Sequence, residues 1–187
     1  MILPIVAYGS PVLRTVCEDI GADYPNLDKL IADMWETMYN SNGVGLAAPQ
    51  VNVPIRLFVI DSEQIFANKE EDEELNYPDA PGYKGVFLNA HITRLNGTEW
   101  AYNEGCLSIP DIRGMVMRPK AISVRGLNRQ GKKIELTASG LPARVIQHET
   151  DHLDGVLFFD RMKTFETLTY LDEYSRFWRK HDDDGDE

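Results

Sequence analysis

The sequence predicts an α+β domain in which antiparallel strands pack around a central helix, with an N-terminal and a C-terminal helix beside them. Three observations support this class. Short strand-like runs cluster in the middle of the chain, three separate segments carry helical periodicity, and the helices are expected to gather around the strands. A length of 187 residues suits one domain with its own core, so residues 1–187 are predicted to form a single domain.

Three segments have apolar residues at three- and four-residue spacing. The first follows Asn26, which is a plausible N-cap, and continues to about residue 38. The second covers residues 141–153, where Pro142 is acceptable because it falls in the first turn. The third runs from Thr164 to about residue 180. These segments predict the N-terminal, central and C-terminal helices.

The strands are predicted from short apolar or alternating runs. Residues 56–61 read as a buried strand, and turn residues separate several of the later runs. The Asn96-Gly97 pair is a hairpin signal, and Asn128 with Gly131 marks a second turn. The later strand-like runs cover residues 85–95, 99–104, 115–117, 121–127 and 132–137.

Charge excludes some classes of function. The formal net charge is −11, which argues against direct nucleic-acid binding because that depends on neutralising phosphates with Lys and Arg. Part of the acidity lies in two runs, at residues 70–74 and 182–187. We therefore interpret residues 62–82 as a surface loop outside the core and away from any active site, and residues 181–187 as a solvated acidic tail.

The sequence also bears on the cellular compartment. It has no run of about 18 apolar residues that could span a membrane. Its first residues resemble neither a secretory signal nor an Arg-rich transit peptide. Cys17 and Cys106 are the only cysteines, so there is no disulfide framework, and a reducing compartment fits better than one disulfide between them. These features favour the bacterial cytoplasm.

The central helix contains the pattern that indicates chemistry. His148 and His152 are four residues apart, so both imidazoles lie on one face of the helix and can reach one metal ion. Glu149 follows the first histidine directly, which lets its carboxylate approach a water on that metal. The central helix is therefore predicted to be a metal-binding helix, and the chain to be a hydrolase that cuts an amide bond with a metal-activated water.

Two histidines leave a catalytic metal one protein ligand short. Downstream, Phe158 stands where a metzincin peptidase would need a third histidine, which leaves Glu166 and Glu173 as candidate carboxylate ligands of a thermolysin-like peptidase. Upstream, Cys106 follows a strand pattern and a glycine. A lone cysteine is more often a small buried residue, yet a half-filled metal site elsewhere raises the case for Cys106 as the ligand.

Three motifs together resemble those of the peptide deformylases, and they occur in that family's order. They are Gly-Val-Gly-Leu-Ala-Ala-Pro-Gln at residues 43–50, Glu-Gly-Cys-Leu-Ser at 104–108, and Gln-His-Glu-Thr-Asp-His-Leu at 147–153. Residues 5–14 are also similar to the start of that family, and the resemblance runs from about residue 3 to residue 163. Thr150 differs from the larger apolar residue that is more usual there.

The resemblance implies a substrate and a cofactor. The substrate is the N-formyl-methionyl end of a new polypeptide, from which formate is released. The cofactor is one divalent metal ion per chain, held by Cys106, His148 and His152. The donor set suits Fe²⁺, Zn²⁺, Ni²⁺ or Co²⁺; Fe²⁺ is expected in cells, and Zn²⁺ or Ni²⁺ can replace it in purified protein. The C-terminal helix and tail are not family features, so docking on the ribosome stays open.

The resemblance also implies roles for other residues. Glu149 would be the general base, and Gln50 and the backbone N–H of Leu107 would stabilise the oxyanion. Glu104 and Arg118 would form a buried ion pair that supports the cysteine loop. The substrate-binding residues would comprise an extended edge, which pairs with the substrate backbone, and apolar walls for the methionine side chain; they are Gly43, Val44, Gly45, Leu141 and Val145.

Two alternatives remain from the residues alone. One is a zincin-type metallopeptidase that uses a downstream carboxylate ligand and leaves Cys106 free. The other is a non-catalytic metal-binding or interaction module, which would have no need of Glu149 or Gln50. Release of formate from formyl-Met-Ala-Ser, measured beside cleavage of an unformylated peptide, separates the three.

Overall fold

One antiparallel sheet runs through most of the chain in the computed structural model, which describes residues 1–21, 23–67 and 82–170. Its strand order is β1-β2-β3-β4-β5, and β6 pairs with β4 away from this path. Neighbours along the path are therefore also neighbours in sequence. The strands are β1 (Gly45–Ala47), β2 (Leu57–Asp61), β3 (Lys84–Cys106), β4 (Ile109–Leu127), β5 (Lys133–Ser139) and β6 (Thr169–Tyr170).

Helix α3 (Gly140–Leu153) follows β5 directly and contacts β1 to β5. Its first residue, Gly140, has φ of +63°, a conformation that glycine adopts without strain as the chain leaves the strand. The remaining helices are α1 (Leu27–Asn40), α2 (Glu63–Ala67) and α4 (Phe158–Arg161), with single 3₁₀ turns at Pro11–Arg14, Ala48–Val51 and Phe165–Thr167. No helix among the described residues is long and apolar enough to cross a membrane.

Strand β2 is buried on both faces, which explains its uninterrupted apolar sequence. On one face, Leu57 and Val59 pack in a cluster with the apolar side of α1. On the other face, Phe58 and Ile60 pack in a cluster with α3. The sheet thus separates the two helices, and burial of both faces fixes the position of α3.

Several predicted elements are confirmed. Helix α1 begins directly after Asn26, although the Asn26 side chain makes no capping hydrogen bond. Helix α3 and strand β2 match their predicted ranges to within one residue. The turn between β4 and β5 lies at the predicted place, where the Asn128 N–H donates to the Lys132 carbonyl oxygen at 2.9 Å.

The hairpin predicted at Asn96-Gly97 is wrong. Strand β3 continues through both residues, and the pairing with β4 shifts between Asn96 and Glu99, so the extra residue forms a β-bulge. Gly97 supplies the positive φ, +76°, that such a bulge accommodates. The chain reverses instead at residues 107–108, where Cys106 pairs with Ile109. Long-range pairing of β3 with β4 outweighs the local turn preference.

Two further predictions need correction. The helix predicted from Thr164 is wrong over residues 164–170, because the Thr164 hydroxyl caps a short 3₁₀ turn and the chain then extends into β6, which pairs with β4. The rest of that helix and the tail at 181–187 lie outside the described residues. The loop predicted at 62–82 is wrong at its start, because Ser62 is fully buried and α2 follows it. Residues 68–81 lie outside the described residues.

Candidate active site

Cys106 lies at the end of β3, in the turn that connects β3 to β4. The N-terminal segment holds this turn in place, since Ser108 is fully buried and its carbonyl oxygen accepts a hydrogen bond from the Tyr8 N–H at 2.8 Å. Cys106 itself is half-buried and carries a free thiol, as does the fully buried Cys17. The sequence prediction that these cysteines form no disulfide framework therefore agrees with the structure.

His148 and His152 face Cys106 from α3. Their rings lie one helical turn apart, with centroids separated by 5.0 Å. The Cys106 Sγ is 3.3 Å from the His152 Nε2, and one ligand atom from each of the three residues lies within 4.8 Å of the others. Metal–sulfur and metal–nitrogen bonds of about 2.3 and 2.0 Å in a tetrahedral site would place sulfur and nitrogen about 3.5 Å apart. The three residues could therefore bind one metal ion.

Glu104 lies behind this group and orients it. Its carboxylate accepts hydrogen bonds from Arg118 Nε at 2.7 Å and from Arg144 at 2.6 Å, and it lies 3.0 Å from His148 Nδ1. Because Glu104 contacts Nδ1, the other ring nitrogen of His148, Nε2, is left available as a metal ligand. Burial alone would raise the pKa of Glu104, but hydrogen bonds from His148 and Arg118 outweigh it and hold the pKa well below its ordinary value. Glu104 therefore stays a carboxylate.

The charges around the histidines favour a cation. Burial lowers the pKa of His152, so that imidazole is neutral, as a metal ligand must be. Burial acts in the same direction on His148, but the contacts with Cys106 and Glu104 outweigh it and raise the pKa. A pocket that stabilises positive charge at this point also suits a bound divalent ion. The donors, two imidazoles and a thiol, are those that zinc and the late transition metals prefer.

Glu149 lies beside the ligand group and is 4% exposed. Its Oε2 has no hydrogen-bond partner among the described residues, and burial raises its pKa to about 7. The backbone of Gly45 approaches it so closely that a Cβ on Gly45 would lie 2.3 Å from Oε1. The Glu149 carboxylate is thus packed against the backbone at Gly45, while its Oε2 is free of protein partners over the described part of the chain. A carboxylate with one such free oxygen can exchange a proton with a water.

Gln50 lies in the 3₁₀ turn after β1, and its side chain is oriented at both ends. Its Oε1 accepts a hydrogen bond from the Ala47 N–H at 2.9 Å. Its Nε2 lies 3.2 Å from the Ser108 Oγ and 3.5 Å from the Cys106 Sγ. Gln50 is 2% exposed, so it is not a surface residue after a proline turn. The structure brings its amide N–H group next to Cys106 and the adjacent Leu107.

A cleft of about 810 Å³ opens over these residues. Its walls come from the segment before β1, from the β3–β4 turn and from one face of α3. Every residue that the sequence analysis assigned to substrate binding lines it, namely Gly43, Val44, Gly45, Leu141 and Val145. Leu141 and Val145 are 3% and 6% exposed, so they form an apolar wall over the two turns of α3 before His148.

Two charged residues of the site, Arg144 and Asp151, were not predicted from the sequence. Arg144 is 2% exposed, binds Glu104, and lies over the Trp100 ring at 4.1 Å. Asp151 accepts a hydrogen bond from Arg118 at 2.7 Å and contacts Arg161 at 2.6 Å. The sequence spacing could have indicated Arg144, because it precedes His148 by four residues and therefore lies on the same face of the helix.

The peptidase alternative finds no support in the geometry. Glu166 is exposed in a 3₁₀ turn and is not among the described residues whose ligand atoms converge with the histidines. Phe158, at the position where a metzincin would need a histidine, has no ligand atom and packs in the core. Glu173 lies outside the described residues.

The family model, the sequence relatives and the solved structures that this chain matches are peptide deformylases. Residues 2–167 match the family model of polypeptide deformylase. Peptide deformylase of Flavobacterium psychrophilum is 49% identical over 166 residues, covering 89% of this chain and 85% of that one. The class I type b peptide deformylase of Acinetobacter baumannii bound to Met-Ala-Ser has 35% identity and a TM-score of 0.74, covering 87% of this chain and 99% of that one.

A further solved structure covers more of the chain. The peptide deformylase of Legionella pneumophila has 34% identity and a TM-score of 0.75, and the match covers 96% of this chain and 99% of that one. The mixed helix and antiparallel sheet described above is therefore the fold of these enzymes. The chain belongs to the polypeptide deformylase family, whose members are metalloenzymes that remove the N-formyl group from the N-terminal methionine of new polypeptides.

Proposed function

We propose that Cys106, His148 and His152 hold one divalent cation, and that the residues around it hydrolyse the formyl amide of N-formyl-methionyl polypeptides. The observation that carries the proposal is the convergence of these three ligand atoms beside a buried glutamate with an unused oxygen. We include in the proposal that the sheet strands are arranged around α3 as the central metal-binding helix. A bacterial cytoplasmic location fits a substrate that is a new polypeptide.

The cation, when bound, would act as a Lewis acid and lower the pKa of a coordinated water to near neutrality. We propose Fe²⁺ as the ion used in cells, with Zn²⁺ or Ni²⁺ able to replace it in purified protein. Two imidazoles and a thiolate suit all three ions, and a partly exposed ferrous thiolate site would be open to oxidation and exchange.

Glu149 is the proposed general base. Its carboxylate accepts the proton of water while the water oxygen attacks the formyl carbon, and it later gives that proton to the leaving nitrogen. The carbon–nitrogen bond then breaks, so the products are formate and a free amine. A pKa of about 7, raised by burial, suits a group that must accept and return a proton near neutral pH.

Gln50 and Leu107 are the proposed oxyanion donors. The Gln50 Nε2 is directed towards Cys106 and Ser108, and Leu107 is the next residue of the same turn. A side-chain amide and a backbone N–H on one side of the formyl carbon would meet the negative charge that develops on its oxygen. Glu104 and Arg118 support this turn, since Glu104 binds both Arg118 and His148.

The cleft suits an extended peptide that enters beside residues 43–45. Its apolar wall at Leu141 and Val145 would contact the methionine side chain. The Acinetobacter baumannii enzyme is bound to Met-Ala-Ser, the peptide that deformylation of formyl-Met-Ala-Ser produces. We propose that this chain takes the same class of ligand.

The test is release of formate from formyl-Met-Ala-Ser by the purified chain, with Met-Ala-Ser cleavage measured beside it. Formate release without peptide cleavage is expected, and it should stop when a chelator removes the cation and return when Zn²⁺ or Fe²⁺ is restored. Glu149→Gln should keep the cation and lose most turnover. Peptide cleavage without formate release would favour a metallopeptidase, and near-normal kcat in Glu149→Gln would exclude its role as base.

A further inference from the structure

The short helix α2 lies next to the substrate cleft, although its sequence reads as the start of a polar loop. Its second residue, Gln64, is half-buried, and Ile65 lines the cleft. The helix is held in place at its start, because the Asp61 Oδ1 accepts hydrogen bonds from the Glu63 and Gln64 N–H groups at 3.1 and 3.4 Å. Gln64 is therefore presented to the cleft edge in a fixed position.

The side-chain amide of Gln64 bridges two backbone carbonyls. Its Nε2 donates to the Gly43 carbonyl oxygen at 2.9 Å and to the Asp61 carbonyl oxygen at 3.0 Å. Both hydrogens of the amide are thus used. Gly43 belongs to the segment that lines the cleft and Asp61 ends β2, so the bridge joins the cleft edge to the strand behind it.

This bridge ends the β1–β2 ladder one residue early. In a hydrogen-bonded antiparallel pair the two residues exchange both N–H···O bonds. Val44 and Asp61 make only one, from the Asp61 N–H to the Val44 carbonyl oxygen at 2.9 Å. Gln64 occupies the Asp61 carbonyl that the Val44 N–H would otherwise reach. Over residues 1–21, 23–67 and 82–170, the Val44 N–H donates to no partner.

The freed N–H belongs to a residue that lines the cleft. The Gly43 carbonyl and the Val44 N–H belong to one trans peptide unit, so they point in opposite directions. Because Gln64 binds the carbonyl, the N–H of the same unit points away from Gln64, and it lies in the stretch at residues 43–45 that lines the cleft. The Gly43 backbone is packed closely against the β3–β4 turn, since a Cβ there would lie 2.7 Å from Leu107 Cδ1.

We propose that Gln64 is a positioning residue for substrate binding, whose amide withdraws the Val44 N–H from the β1–β2 ladder and presents it to a peptide carbonyl of the substrate. The inference rests on the proposed deformylase function. Gln64 acts through the Gly43–Val44 peptide unit and touches no reacting atom. Its contribution is therefore to the binding of substrates that have a peptide backbone beyond the formyl group.

The experiment compares Gln64→Met with the wild type on formyl-Met-Ala-Ser and on N-formyl-3-(methylthio)propylamine, which keeps the formyl amide and the methionine side chain but has no further carbonyl. One backbone hydrogen bond corresponds to about a fivefold to tenfold change in affinity. We expect KM for the tripeptide to rise by about that factor, with kcat and metal content within about twofold and kcat/KM for the formylated amine within about twofold. Glu63→Gln, on the exposed side of the same helix, is the matched control and should behave as wild type.

Gln64→Glu removes both donors while keeping the shape, so it carries the test if the methionine variant is unstable. An unchanged KM for the tripeptide, or an equal loss on both substrates, would overturn the proposed role, since a merely structural residue would affect both alike. Failure of the wild type to release formate from either substrate would instead overturn the proposed function.

Discussion

Gly45→Ala tests whether the contact between the cleft edge and Glu149 positions the base. The Gly45 backbone does not lie in the left-handed region, so alanine is tolerated by the main chain. The added Cβ would, however, lie 2.3 Å from the Glu149 Oε1 and 2.8 Å from its Cδ. Glu149 is 4% exposed and has little free space, so the methyl group and the carboxylate compete for the same volume.

The magnitude follows from this overlap. Ordinary contacts begin at 3.4 Å, so the carboxylate or the cleft edge must move by about 1 Å, a displacement that can reduce turnover on the order of 100-fold. We expect a loss of that size in kcat, measured by formate release at matched metal content. The metal content itself should change little, because none of the three proposed ligands is displaced.

Gly97→Ala is the matched control. It places alanine at a φ of +76° in the bulge of β3, where the nearest atom to the new Cβ is 3.5 Å away. Backbone strain there should lower the free energy of unfolding by about 1–2 kcal/mol without affecting turnover. If Gly45→Ala kept more than about a third of the wild-type kcat while folded and metal-loaded, the argument that Gly45 positions Glu149 would fail.

Three further predictions concern the oxyanion donor, the buried charges and the pH dependence of stability. Gln50→Ala should reduce kcat on the order of 100-fold with little change in KM, and Gln50→Glu should reduce kcat further. If steady-state kinetics showed that both variants keep about a third of the wild-type kcat, Gln50 would not be an oxyanion donor. Arg144→Met should lower the free energy of unfolding by about 3–5 kcal/mol, because a buried carboxylate loses a partner, and an unchanged urea midpoint would contradict this. Burial would raise the pKa of Asp61, but hydrogen bonds from Tyr39 and Lys84 outweigh it and lower the pKa. The ionised carboxylate therefore stabilises the folded state at pH 7, and this contribution to the free energy of unfolding is lost as the pH falls through the folded-state pKa. The destabilisation by Asp61→Asn should therefore shrink below about pH 4, and an equal effect at pH 7 and pH 3 in urea unfolding would argue against it.

The parts of the site that could be predicted from sequence are those that depend on short spacings. Two histidines four residues apart share a helix face whatever surrounds them, and Glu149 takes its place from the first of them. The family motifs then indicated Cys106 and Gln50, which spacing alone could not connect with the helix. The structure brings all of these residues together beside one cleft, with His152 buried behind it.

The parts that could not be predicted depend on long-range pairing. Asn96-Gly97 has the local chemistry of a hairpin turn, but β4 pairs along the whole of β3 and converts the glycine into a bulge. Gln64 lies next to an acidic run whose composition indicates solvent exposure, while its actual position is set by Asp61. The residues after Thr164 show helical periodicity, yet pairing with β4 extends the chain there. Local propensity is a weak guide where a partner strand is available.

The division of the proposed ligands between a hairpin and a helix has a consequence for folding. Cys106 and His152 are 46 residues apart in sequence, and each belongs to an element that is held by different core contacts. A cation bound between them would act as a reversible cross-link that closes this loop, and it would stabilise the native state in proportion to the logarithm of its free concentration. At about a thousand times its dissociation constant the gain is about 4 kcal/mol. The thermal midpoint of this chain should therefore follow the supply of metal, so that cells with little available metal would hold protein that is less active and also more readily unfolded.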